Sequence, residues 1–324
     1  MTWSDELGKR IRRGDAAEQA VSTVTRIEQA IVGGQSEPAA QLVDYFMEEA
    51  KVVFVIYTSW SEGFEAFLRH KGVPSAEAEA ESTRLRTSLA LDPEAQWLAL
   101  GAEAGAFANA LRAFLLTTDE AGAKLESLRA GWARLHDAYA DYQAGLLTFV
   151  AERFGEAALG ECFRYVLEPY LRERYGPFDV RRRAYEDTVF RNAYLSFEAM
   201  RGHLCGPGRR GDLEVAEDDD KIVIAFDPCG SGGRQQRAGS FGVTQERHDW
   251  AWNETGVCYY CAHCCFALEL WPAEQWGHPV RIVDSPLDDE AHAPEPKKCT
   301  WTVYKRLDAI PPEAYERIGR SKPS

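Results

Sequence analysis

The spacing of apolar residues over the first two thirds of the chain most limits what it can fold into. From about Ala16 to Cys205 the sequence is rich in Ala, Leu, Glu and Arg, and apolar residues recur every three or four positions. This spacing lines one face of a helix, and these four residue types have high helix propensity. No stretch here alternates long enough to indicate a sheet. We therefore predict an all-α domain of six to eight helices over residues 1–205, packed as a bundle or as paired hairpins.

Glycine and proline interrupt this pattern and predict where the helices end. The interruptions are Gly33-Gly34, Gly72 to Pro74, Asp92-Pro93, Gly122, Gly155 and Gly176-Pro177. One group of residues also repeats at a constant offset: Tyr57, Trp60, Gly63 and Phe67 reappear as Tyr139, Tyr142, Gly145 and Phe149. We predict from this echo that one helical hairpin is duplicated, although chance agreement in helical sequence of low diversity would look the same.

Composition changes at residues 205–211, Cys-Gly-Pro-Gly-Arg-Arg-Gly, which we expect to be a flexible connector. Strands are predicted over residues 213–216 and 221–226, with two more over 279–283 and 300–304. An apolar, aromatic segment over residues 258–276 indicates one helix between the second and third strands. Residues 212–324 are thus predicted to form a second domain, a small and mostly antiparallel sheet with one packed helix. The fold class is α+β.

The formal charge of −14 argues against a nucleic-acid partner, since neutralising phosphates requires an excess of Lys and Arg on at least one face. The longest apolar run, residues 52–57, is too short to span a bilayer, so no membrane partner is expected. The N-terminal residues Met-Thr-Trp-Ser-Asp-Glu do not have the character of a signal peptide. We expect a cytoplasmic protein, in which clustered thiols bind metal more often than they form disulfides.

The cysteines are the part of the sequence that demands chemistry beyond packing. Cys258, Cys261, Cys264 and Cys265 lie with His263 within eight residues, while Cys229 precedes them and Cys299 follows. Two Cys-x-x-Cys steps overlap in this run, a spacing that lets two sulfurs reach one tetrahedral ion at about 2.3 Å. We predict a zinc site with Cys229, Cys258, Cys261 and either Cys264 or Cys299 as ligands.

Two other interpretations of the cysteines remain open. The spacing of Cys258, Cys261 and Cys264 copies the opening of the bacterial ferredoxin pattern, so a 4Fe–4S cluster would take Cys229 or Cys299 as its fourth ligand. A metal-free reactive cysteine, with His263 or His278 as its base, is the other. Cys162 and Cys205 are interpreted as small buried apolar residues.

The catalytic candidates are His263 and His248, which could move a proton, and Cys265, a thiol that four-coordinate zinc would leave free. The loop over residues 230–234, Gly-Ser-Gly-Gly-Arg, could present backbone N–H groups to an anion, but a flexible turn is the simpler interpretation. In the helical domain, His136 is expected to be a buried histidine with its hydrogen bonds satisfied.

The C-terminal third resembles the L-2-amino-thiazoline-4-carboxylate hydrolases and the vinyl-reductase-like small-molecule-sensing domains. The shared outline is a strand (residues 222–226), a helix with cysteine near its start (258–276), a strand (280–283) and a last cysteine, Cys299, entering a final strand. This resemblance implies either hydrolysis of a C–N bond in a small heterocycle or ligand sensing at a zinc-supported pocket, with these cysteines as site members.

The leading hypothesis from the sequence is a zinc-dependent hydrolase of a small polar substrate. The first alternative is a small-molecule sensor or scaffold in which zinc is structural. The second alternative is an iron–sulfur redox protein.

Overall fold

The structure, a computed structural model, describes residues 1–323 and has an α+β fold, as predicted. The helices are α1 (Ala16–Ala20), α2 (Thr23–Val32), α3 (Ser36–His70), α4 (Ser75–Ser88), α5 (Pro93–Arg112), α6 (Thr118–Phe154), α7 (Ala158–Tyr175), α8 (Val189–Gly202), α9 (Gly232–Ala238), α10 (Tyr259–Cys265), α11 (Trp271–Trp276), α12 (Asp288–Ala291) and α13 (Glu313–Glu316). The strands are β1 (Thr2–Ser4), β2 (Lys9–Ile11), β3 (Glu214–Glu217), β4 (Lys221–Phe226), β5 (Ile282–Asp284) and β6 (Cys299–Tyr304).

The helical segment contains α1 to α8, within the predicted number, and is built around the long helices α3 and α6. Most predicted helix ends are confirmed, but the one at Gly122 is wrong, because Gly122 lies inside α6. That helix begins instead with a capping box in which Thr117 and Glu120 satisfy each other's backbone N–H groups. The cap outweighs the cost of one glycine in a helix, about 1 kcal/mol.

The two echoed glycines lie at close helix crossings that mirror each other. A Cβ atom on Gly63 of α3 would lie 2.8 Å from Val166 Cγ1 of α7, and one on Gly145 of α6 would lie 2.6 Å from Leu85 Cδ2 of α4. The helix that follows each copy therefore packs on the glycine of the other copy. This reciprocal packing supports duplication of one helical hairpin.

The C-terminal sheet has the strand order β3-β4-β6-β5, and every neighbouring pair is antiparallel. The four predicted strands are present, although β5 begins at Ile282 rather than at residue 279. Val280 and Arg281 donate their backbone N–H groups to the carbonyl of Leu268, at 2.8 and 3.3 Å, and so are held outside the strand ladder.

The predicted helix over residues 258–276 is present as three pieces: α10, a π-helical turn (Phe266–Leu270) and α11. The short helix α9 lies where we expected a flexible turn, and the β1–β2 hairpin was not predicted at all. Its strands are three residues long, too short to show an alternating pattern.

The helical segment and the sheet share one contiguous cluster of buried apolar side chains. The boundary predicted near Cys205 falls between α8 and β3, where the chain makes a hydrogen-bonded loop: Gly211 N–H donates to Cys205 O at 2.8 Å and Gly206 N–H donates to Pro228 O at 3.0 Å. No helix in residues 1–323 combines the length and apolar character needed to cross a membrane.

Candidate functional site

Cysteines and histidines from both parts of the chain line one small cavity of about 50 Å³. We call it the thiol cavity, and its chemically active side chains are Cys229, Cys261, Cys264, Cys299, His203 and His263. It lies where α8 and α10 meet the edge of the sheet at which β4 ends and β6 begins.

Antiparallel pairing brings the distant cysteines together, as the sequence predicted. Phe226, the last residue of β4, is paired with Cys299, the first residue of β6. Cys229 follows β4 after a short turn, so it approaches Cys299 although 70 residues separate them along the chain. Cys261 and Cys264 lie three residues apart on α10 and therefore share one face. A Cβ atom on Gly232 would lie 2.4 Å from Cys261 Sγ, so the loop after Cys229 packs directly on α10.

Cys229 is the thiol with the strongest tendency to ionise. The pKa of Cys229 is lowered to about 5. The largest cause is the hydrogen bond from the Cys205 thiol, and the backbone N–H groups of Gly233 and Ser231 act in the same direction, whereas burial opposes them. Cys205 Sγ also lies 3.6 Å from Met200 Sδ. An ionised sulfur is the stronger acceptor, so we assign the proton of Cys205 to Cys229. Cys229 is therefore a thiolate at neutral pH.

Cys258 and Cys261 form a second thiol pair at the start of α10. The hydrogen bond from Cys261, assisted by backbone N–H groups of the first helical turn, lowers the pKa of Cys258. The hydrogen bond to Cys258, together with burial, raises the pKa of Cys261. Burial raises the pKa of both Cys264 and Cys299. Cys258 is therefore the more acidic thiol of this pair, and Cys261, Cys264 and Cys299 are neutral beside the Cys229 thiolate.

A hydrogen-bonded histidine pair leads from the helical segment into the cavity. His136 Nδ1 lies 2.9 Å from Asp137 Oδ1, and His136 Nε2 lies 2.9 Å from His203 Nδ1. The Tyr57 hydroxyl is 3.2 Å from both facing nitrogens. Burial by itself would raise the pKa of Asp137, but hydrogen bonds from His136 and Arg209 hold it well below its usual range.

These contacts determine which nitrogens carry protons. Burial lowers the pKa of His136 and of His203, so both rings are neutral. The Asp137 carboxylate accepts a hydrogen bond from His136 Nδ1–H, which leaves His136 Nε2 to accept from His203 Nδ1–H. His203 is then unprotonated at Nε2, and it lines the thiol cavity as a base with a free lone pair.

A second cavity of about 60 Å³ adjoins the first and shares His203, His263 and Cys264 with it. Arg174 and Arg281 also line it, and no carboxylate within residues 1–323 forms an ion pair with either guanidinium. Arg281 is buried and its Nε donates to Asn192 Oδ1 at 2.7 Å. The buried Arg281 and the half-buried Arg174, neither paired with a carboxylate of residues 1–323, suit a small ligand that carries a negative charge.

Of the three predicted catalytic residues, His263 lines the thiol cavity, whereas Cys265 and His248 do not. His263 lines the cavity with Nε2 3.5 Å from Cys264 Sγ, and burial lowers its pKa to about 4. Cys265 lies on another face of α10, where its Sγ accepts the Trp252 N–H at 3.2 Å and contacts Asp249 O at 3.3 Å. His248 lies outside the cavity lining, with Nε2 2.9 Å from Glu156 Oε1.

The alternative base His278 is buried elsewhere, between the carbonyls of Pro279 and Phe178. His136 is buried with both nitrogens hydrogen-bonded, in line with the expectation from the sequence. Sequence reasoning missed His203, Arg174 and Arg281 as site residues. None of the three stands in a recognisable spacing with the cysteines, and only the adjacency of His136 and Asp137 hinted at a polar network nearby.

The arrangement does not form a complete metal centre as the side chains stand. Within residues 1–323, no three side chains of His, Cys, Asp or Glu are placed to hold one ion together. The eight cysteines are all free thiols. What the cavity offers is a thiolate, further thiols within electrostatic reach of it, and two neutral imidazoles.

Comparison with known proteins finds no match: no family model, no curated protein and no solved structure is significantly similar to this chain.

Proposed function

We propose that this protein hydrolyses a small polar substrate, with the thiol cavity as its active centre and zinc as its cofactor. One observation carries the proposal: thiols from three separate segments, at Cys229, on α10 and at Cys299, line a single cavity together with two histidines. Isolated buried cysteines behave as small apolar residues and have no reason to gather around one space.

The chemistry of these donors fits zinc, which takes thiolate sulfur and imidazole nitrogen in tetrahedral sites. Cys229 is already ionised, as a zinc ligand must be. No three donors are yet spaced to hold one ion, so binding requires side-chain rotation among the cavity donors. Zinc held there would polarise the scissile group or lower the pKa of a bound water to about 7.

The protein's own residues supply the remaining roles. His203, unprotonated at Nε2, takes the proton from the attacking water, and His136 with Asp137 holds it in that tautomer. Arg174 and Arg281 bind an anionic group of the substrate in the adjoining cavity. A C–N bond as the target rests on the resemblance of the C-terminal third to the thiazoline-carboxylate hydrolases. The reduced thiols suit a protein of the cytoplasm.

Elemental analysis of the protein purified without oxygen and without added metal tests the proposal. We expect about one equivalent of zinc in the wild type and less than half of that in Cys229→Ser and Cys299→Ser. Cys162→Ser is the matched control, because Cys162 is buried in the helical segment away from the cavity. Less than half an equivalent of metal in the wild type would remove zinc from the proposal.

A metal-free thiol hydrolase is the second candidate, favoured by the low pKa of Cys229. The Cys229 thiolate would add to the electrophilic carbon, and the amine would leave with a proton taken from solvent water. A second water, deprotonated by His203, would then attack the thioester to release the acid and restore the thiolate, and His203 would return its proton to solvent. Turnover would then survive metal chelators but be lost after alkylation of Cys229. The zinc-dependent enzyme loses turnover under both treatments and regains it when zinc is restored after chelation.

A further inference from the structure

A groove lined by arginines lies where the residues after β2 meet α2 and the start of α3. It has a volume of about 520 Å³, and its polar lining consists of Arg12, Arg13, Arg26, Gln29, Gln35 and Gln41. No Asp or Glu of residues 1–323 is part of the lining. None of the thiol-cavity side chains reaches this groove, so the two sites are separate.

Within residues 1–323, no carboxylate pairs with any of the three arginines, although the formal charge of the chain is −14. Arg12 is 4% exposed, and its guanidinium donates only to neutral oxygens: Thr23 Oγ1 at 3.2 Å and the backbone oxygen of Glu18 at 2.8 Å. Arg26 donates from Nη2 to the same Glu18 oxygen at 2.8 Å, and its buried Nε has no hydrogen-bond partner. Arg13 donates to Thr2 Oγ1 at 3.0 Å.

The nearest buried carboxylate is already used. Glu49 accepts from Arg201 Nε at 2.6 Å and from the Thr23 hydroxyl at 2.7 Å. Burial together with the charges of Arg201 and Arg26 lowers the pKa of Arg12 to about 10. At the rim, Glu37 is engaged by Gln41, whose Nε2 donates to it at 2.9 Å. Glu49 offsets part of the charge of Arg12, but no carboxylate of residues 1–323 forms an ion pair with any of the three arginines, so the interior of the groove remains positively charged.

We propose that this groove binds a phosphorylated small molecule, with Arg12, Arg13 and Arg26 around its phosphoryl oxygens and the three glutamines along the rest of the ligand. Guanidinium groups match the oxygens of phosphoryl groups through paired hydrogen bonds. A phosphate monoester carries about −1.5 to −2 charges at neutral pH, which suits three guanidinium groups better than a monocarboxylate does. The volume lies within the range of pockets for small organic ligands, about 300–1,000 Å³.

Thermal unfolding and calorimetric titration with inorganic phosphate and with pyrophosphate test this site on the full-length protein. We expect both anions to bind and to raise the unfolding temperature at constant ionic strength, pyrophosphate more strongly, with affinity at least tenfold weaker in Arg26→Gln and Arg13→Gln. Arg26 is partly buried and Arg13 is exposed, so these variants should fold. Arg84→Gln is the matched control, because Arg84 is exposed and paired with Glu81.

Three results would overturn the proposal. The first is no binding beyond that seen with chloride at the same ionic strength. The second is equal binding by Arg26→Gln and the wild type. The third is tighter binding of succinate than of pyrophosphate, which would make the groove a dicarboxylate site instead.

Discussion

His136 Nε2 lies 2.9 Å from His203 Nδ1, so only one of these two facing nitrogens can carry a proton. The ionised Asp137 decides which one, because it accepts a hydrogen bond from Nδ1–H of His136 at 2.9 Å and so fixes the single proton of that ring on Nδ1. Arg209 holds Asp137 in turn, with Nη2 2.7 Å from Oδ1. The protonation state of His203, which lines the thiol cavity, is therefore set by a carboxylate two hydrogen bonds away.

The histidine pair predicts that stability falls in mild acid. Burial lowers the folded-state pKa of His136 and His203 below the ordinary 6.5, so between these values the unfolded chain binds more protons than the folded one. The free energy of unfolding should decrease as pH falls below about 6.5, by up to about 1.4 kcal/mol per pH unit for each histidine. Urea unfolding at pH 7 and pH 5 measures the slope. We expect a shallower slope in His136→Gln and no change in His70→Gln, where the histidine is exposed. An unchanged slope in His136→Gln would contradict the assignment.

Alkylation of Cys229 should be nearly independent of pH in protein stripped of metal. With a pKa of about 5, the thiolate is fully formed, so its rate with iodoacetamide should stay flat between about pH 6 and pH 8. Cys205→Ala removes the largest cause of the lowered pKa and should make the rate rise with pH. Cys205→Ser keeps a donor and should resemble the wild type more closely. Mass spectrometry of the modified peptide follows the rate. A tenfold rise per pH unit in the wild type would show an ordinary thiol.

Gly202→Ala should destabilise the protein and disturb His203, which directly follows it. A Cβ atom on Gly202 would lie 2.9 Å from both the backbone oxygen of Glu49 and Val53 Cγ2, so α8 would have to move away from α3. Overpacking of this kind costs about 1–3 kcal/mol. Gly122→Ala is the control: nothing lies within 4 Å of its Cβ position, and it should stabilise α6 by up to about 1 kcal/mol. Unfolding in guanidinium chloride measures the free energy of unfolding of both variants. An equal change in this free energy for Gly202→Ala and Gly122→Ala would contradict the close approach of α8 to α3.

Glu269→Gln should cost about 1.5–3 kcal/mol, because it replaces the buried carboxylate that pairs with the half-buried guanidinium of Arg317. Glu269 is fully buried in the π-helical turn, where it accepts the Val283 N–H at 2.7 Å and Trp252 Nε1–H at 3.0 Å and pairs with Arg317. Glu126→Gln breaks an exposed pair with Arg129 and should cost about 1 kcal/mol or less. Chemical unfolding compares the two variants. A loss below 1 kcal/mol for Glu269→Gln would contradict the role of this carboxylate.

Much of the fold could be predicted because it rests on local patterns. Helical periodicity identified the helical segment, and alternation identified β3, β4 and β6, since both patterns depend on neighbours along the chain. The antiparallel arrangement predicted that Cys229 and Cys299 could lie near each other, and both line the thiol cavity. The helix end predicted at Gly122 is wrong because a capping box at Thr117 and Glu120 decides where α6 begins. The hairpin of β1 and β2 is too short to show a pattern.

The sequence by itself determined the α+β class and the set of thiols that could share a site. Only the tertiary structure decided that Cys265 lies outside that site, that His203 lies inside it, and that Arg12, Arg13 and Arg26 form a groove without a carboxylate. Spacing along one helix shows which residues share a face, but it does not show what that face meets. That is settled by close packing between distant elements, such as α8 on α3 at Gly202, where the absence of a side chain lets His203 reach His136.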